Sequence, residues 1–111
     1  MFAVKSQGAV EVIVPNVPLK GDYVEELRET VQHCLSEGLP MLVLNLHDVA
    51  LLDSDGLESL LDVRDVVQKR GGTVKLASLT PLAQDILRVT GVARHFEIFS
   101  DEKAAVRSFV Q

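Results

Sequence analysis

A chain of 111 residues, 47% hydrophobic and 24% charged, holds enough apolar material for one core of ordinary size, and is expected to form a single domain over residues 1–111. Its 16 acidic residues against 11 basic ones, with no block of Lys or Arg and no Trp, disfavour a nucleic-acid partner. No apolar run approaches the roughly 20 residues of a membrane span. The opening MFAVKSQGAVEV lacks a secretory pattern, and a single cysteine, Cys34, cannot form an internal disulfide, so a cytoplasmic protein is expected.

Taken in chain order, FAVKS and AVEVIV (9–14) read as strands of a hairpin turning at Gly8. A loop with Pro15 and Pro18 follows. A first helix is expected from Asp22, which makes a capping pair with Glu25; Val24, Leu27, Val31 and Leu35 share its inner face, and Gly38 closes it. Its outer face carries Glu25, Glu29 and Gln32. The nearly continuous apolar run MLVLNL (41–46) predicts a central strand buried on both faces.

The segment HDVALLD then leads to a second helix after Ser54, with Asp55 and Glu58 in capping-box spacing. Leu57, Leu60, Leu61, Val63 and Val67 form its buried stripe, Asp65 and Lys69 stand at ion-pair spacing on its solvated face, and Gly71 ends it. TVKLA (73–77) alternates and suits a strand nearer an edge. Thr80 caps a third helix with Pro81 in its first turn, followed by apolar Leu82, Ile86, Leu87 and Val89, with Gly91 as the stop. FEIF (96–99) is a late strand, and a fourth helix runs from Ser100 or Asp101 through Ala105, Val106, Phe109 and Val110.

Strands alternating with helices predict an α/β domain: a mixed sheet of four to five strands with about four helices, its parallel neighbours joined by right-handed crossovers. In such sheets functional groups gather beyond the carboxyl ends of the strands, which is where Ser54 falls.

Few patterns carry chemistry. His33, His47 and His95 lack metal-ligand spacing. Asp53, Asp55 and Gly56 match part of a calcium loop, but its first position would be Leu51 and its twelfth Asp62, inside the expected helix. RGGTVK lacks the spacing of a phosphate loop, and no nucleophile-elbow glycine precedes Ser54 to make a hydrolase of a Ser54–His47 pair. No catalytic residue, metal or cofactor is therefore expected. On spacing alone Ser54 would only help to start the helix.

The stretch Leu42 to Leu61, LVLNLHDVALLDSDGLESLL, resembles the core motif of STAS domains, the family of bacterial anti-sigma factor antagonists. Asp53, Ser54, Gly56, Leu57, Gly71 and Gly72 match that motif and its Gly-Gly turn, and LASLTPLAQDILRVTGVARHFEIFSDEKAAV is similar to the family's second half. The resemblance implies that Ser54 is phosphorylated by an anti-sigma factor with serine-kinase activity, that the unmodified form binds this partner and so regulates transcription, and that a phosphatase resets it. Asp53, Ser54, Asp55, Gly56, Leu57 and Glu58 would then form the partner-binding segment.

Three positions depart from the family pattern. Asp55 stands for the usual Ser or Thr, Glu58 for a small residue, and Lys20 about where an Asp before the first helix is expected. The alternative is a constitutive STAS interaction subunit of a larger scaffold or lipid-transport complex, without a phospho-switch.

Overall fold

The structure is a computed structural model and describes residues 2–35 and 39–110. Strands β1 (Ala3–Gln7), β2 (Val10–Val14), β3 (Met41–Asn45), β4 (Thr73–Ala77) and β5 (Ile98–Phe99) form one sheet in sequence order. β1 and β2 are the antiparallel hairpin expected around Gly8; every later pairing is parallel. The helices are α1 (Val24–Cys34), α2 (Ser54–Lys69), α3 (Pro81–Thr90) and α4 (Glu102–Ser108). The α/β architecture with a mixed sheet is as the sequence predicts.

Two hydrophobic clusters flank the sheet. The larger joins Leu27 and Val31 of α1, Leu60, Val63 and Val67 of α2, and Leu87 of α3 to Ile13, Leu42, Leu44 and Leu76. The smaller packs Ala105 of α4 on Val10, Val12, Val43 and Ala77. β3 lies mid-sheet and is buried on both faces, because helices cover both sides of it.

Helix ends follow local chemistry in part. Thr80 Oγ1 accepts from the Ala83 N–H at 3.1 Å with Pro81 beside it, and Asp101 caps α4 through the Ala104 N–H at 2.8 Å. Gly71 and Gly91 close α2 and α3 with φ of 79° and 83°, the left-handed conformation that glycine tolerates. The expected stop at Gly38 lies outside the described residues.

Other expectations need correction. α1 does not start at Asp22: the chain enters through a 3-10 turn over Gly21–Tyr23, fixed by the Tyr23 N–H on the Lys20 carbonyl at 2.8 Å, and no side chain caps the helix. β5 is two residues long, since Phe96 still closes a preceding 3-10 turn. Asp65 pairs with Arg64, at 3.8 Å, and not with Lys69. On α3, Leu82 and Val89 face solvent, being 52% and 75% exposed.

β4 stands next to the edge strand, yet its alternating Lys75 is buried. The Lys75 ammonium lies 4.2 Å from the centre of the Phe109 ring and 5.6 Å from that of Phe99. It donates to Ser108 Oγ at 2.7 Å and pairs with Glu97 at 3.0 Å. These contacts hold the carboxyl end of α4 on the sheet. Lys75→Met, which keeps the stem and removes the charge, is expected to cost about 1–2 kcal/mol in urea denaturation and to raise hydrogen exchange in α4.

Candidate functional site

Two loops leave the carboxyl ends of β2 and β3, and their backbones are stitched together. The Leu19 N–H donates to the Leu51 carbonyl at 3.0 Å, and the Leu19 carbonyl accepts from the Asp53 N–H at 3.2 Å, forming an isolated parallel bridge between Leu19 and Leu52. Leu19 itself is fully buried. Gly56 makes the approach possible: a Cβ there would lie 1.9 Å from the Leu19 carbonyl oxygen, so only glycine allows the first turn of α2 to come this close.

Asp53 is the N-cap of α2. Its extended backbone (φ −97°, ψ −173°) turns one carboxylate oxygen to the Gly56 N–H at 2.8 Å, while the other accepts from the Gly21 N–H at 3.3 Å. The capping pair expected from Asp55 and Glu58 does not form the helix start, because Asp53 already fills that place. Ser54 is the first helical residue. It is exposed, and its hydroxyl has no hydrogen-bond partner among the described residues.

The segment 53–58 therefore divides by direction. Ser54, Asp55 and Glu58 are exposed, Gly56 is buried against Leu19, and Leu57 packs partly onto the larger cluster. Asp53 is exposed as well, but both of its oxygens are held by backbone N–H groups. The result is a free hydroxyl among exposed carboxylates at the head of a 16-residue helix. The helix start favours an added anion, and the neighbouring carboxylates oppose it.

The loop is also anchored at its other end by residues the sequence did not single out. Asn45, 8% exposed, accepts at Oδ1 from the His47 N–H at 3.1 Å, and the His47 ring nitrogen Nδ1 lies 2.8 Å from the same oxygen. Its amide donates to Glu102 of α4 at 2.9 Å. Glu102 further accepts from Gln7 at 2.6 Å and pairs with Lys5 at 3.0 Å. Burial by itself would raise the Glu102 carboxyl, but the hydrogen bonds from Asn45, Lys5 and Gln7, with the Lys5 charge, outweigh it and hold the group below its ordinary range.

Other sequence candidates are used elsewhere. His47 turns its ring to Asn45 and, at 3.3 Å, to Asp48. Burial, with the nearby Glu11 charge, pushes the half-buried Cys34 thiol up, which works against a thiolate nucleophile. Asp62 lies within α2 and is held by Arg28 at 2.8 Å, and among the described residues no group of three His, Cys, Asp or Glu could hold a metal. The groove between α1 and α2, lined by Arg28, Val31, Asp62 and Val66, encloses about 80 Å³.

The family model for the STAS domain matches residues 2–105. Among similar solved structures, a candidate anti-sigma factor antagonist from Thermotoga maritima has a TM-score of 0.91 at 22% identity, over 99% of this chain and 95% of its own. The STAS domain of a SulP transporter from Vibrio cholerae has a TM-score of 0.76 at 16% identity, over 96% and 84%. The anti-sigma factor antagonist SpoIIAA in its unphosphorylated form has a TM-score of 0.72 at 15% identity, over 99% and 97%. At these identities the likeness is one of fold.

Gly56→Ala forces a methyl group onto a backbone oxygen that no rotamer change can move, and is expected to cost about 3 kcal/mol in urea denaturation. Glu102 gives a pH signature. Its folded value is lowered, so its contribution is full above the ordinary glutamate value of 4.5 and is lost as pH falls through the folded value. Glu102→Gln is therefore expected to lower the urea midpoint at pH 7 and to converge with the unsubstituted chain in strong acid.

Proposed function

Because this chain belongs to the STAS domain family, we propose that it is a non-catalytic regulatory switch of the anti-sigma factor antagonist kind. With Ser54 unmodified it binds an anti-sigma factor that has serine-kinase activity. Phosphorylation of Ser54 by that partner ends the complex, and a phosphatase restores it. The setting is a bacterial cytoplasm, and the output is regulation of transcription.

The observation that carries this reading is the free Ser54 hydroxyl. Helix capping, the bland use for a serine here, falls to Asp53. The Ser54 side chain is thereby left exposed on the first residue of α2, without a hydrogen-bond partner among the described residues. Phosphorylation adds a charge of about −1.5 to −2 beside Asp55 and Glu58. A partner surface matched to the unmodified loop would have to bury that anion or find counter-charges for it, and the complex weakens.

A second reading, a constitutive interaction subunit, is favoured by the exposure of Asp55 and Glu58 and by the transporter STAS domain that shares the fold. The two readings separate in one experiment. Mass spectrometry of the chain from its native cells, under several growth conditions and with or without phosphatase treatment, is expected to find phosphate on Ser54 with occupancy that changes. Ser54 bare in every condition would give the case to the constitutive subunit. In direct binding to the kinase-type partner, Ser54→Glu is expected to weaken the complex about tenfold or more.

A further inference from the structure

We propose that the Lys20 ammonium is the internal counter-charge for the phosphate on Ser54. The proposal rests on the reading of Ser54 as the modified residue. Asp55 and Glu58 of α2 and Asp22 of the adjoining loop are all exposed, so a phosphate at Ser54 enters a field of like charge. Its second ionisation is opposed unless a cation stands close by.

The fold brings one cation-bearing residue, Lys20, into the loop stitched to the Ser54 segment. Leu19 is bonded through its backbone to Leu51 and Asp53, and the Gly21 N–H is held by Asp53 Oδ2. A Cβ on Gly21 would meet Asp55 Oδ2 at 3.1 Å, so this residue lies against the carboxylates on both sides of Ser54. Lys20 sits between these two anchored residues, exposed and in extended conformation. Its ammonium makes no hydrogen bond or ion pair among the described residues. The next cation along the chain, Arg28, is already engaged by Asp62 at 2.8 Å and Glu25 at 3.7 Å.

Lys20 thus has a fixed backbone, a free charge and a flexible four-carbon stem. In the unmodified protein an exposed pair with any one solvated carboxylate gains little. A phosphate offers more charge and three acceptor oxygens at one point. Closure of Lys20 on that phosphate bridges the two loops and withdraws the modified side chain and the cation from a partner in one step.

The test uses the full chain with phosphoserine installed at position 54 during translation, titrated by phosphorus NMR. Removing the cation with Lys20→Ala is expected to raise the second phosphate pKa by about half a unit at low salt, with Lys20→Arg restoring it and high salt shrinking the difference. Identical titrations of the unsubstituted and Lys20→Ala chains would overturn the proposal.

If the installed phosphate prevents folding, a double-mutant cycle of Ser54→Glu with Lys20→Ala replaces the titration. Non-additive shifts of the urea midpoint support the pairing, and additive shifts overturn it. Neither measurement depends on whether cells phosphorylate Ser54. Native mass spectrometry decides that separately, so the two failures are distinct.

Discussion

The site depends on the approach of α2 to the Leu19 carbonyl, a contact that any side chain on Gly56 would forbid. From it follow the short backbone bridge between Leu19 and Leu52 and the reach of one carboxylate, Asp53, to the starts of two helical segments. A loop that would otherwise hang from the end of β3 becomes half of a two-stranded rim. Ser54 is presented on that rim with its backbone fixed and its side chain free. That division suits a group read by another protein: geometry is set in advance, and little ordering is left for the moment of binding.

The other face of the sheet is held differently. Among the described residues only α4, seven residues long, covers it, and the apolar cluster there is small. Polar ties do much of the fastening, with Glu102 receiving Asn45, Gln7 and Lys5 near one end of α4 and Lys75 meeting Phe109 and Ser108 near the other. Asn45 belongs to both systems, since the same side chain that holds Glu102 also orders His47 at the head of the Ser54 loop. The loop is thus anchored from the α4 side at its beginning and from the Leu19 side at its end.

Much of this was legible as periodicity. Leu27 and Val31, or Leu60, Val63 and Val67, announce buried helix faces because helical spacing and burial coincide there. The capping of α2 was not legible, because Asp53 with Gly56 and Asp55 with Glu58 share the same local spacing, and only the extended backbone at Asp53 selects between them. Contacts across the two loops leave no trace in local pattern: Gly21 and Asp53 are 32 residues apart. Lys75 misleads for a related reason. An alternating strand looks half-solvated until a later helix and strand supply Phe109 and Phe99 to cover it.

The two margins of the sheet bear on how such a protein can be used. β5 is only two residues long, and β1, on the opposite margin, is exposed and carries Lys5, Ser6 and Gln7. Short or polar margins offer poor templates for strand-by-strand growth of aggregates. Margins of this kind work against edge-to-edge association between copies of the chain.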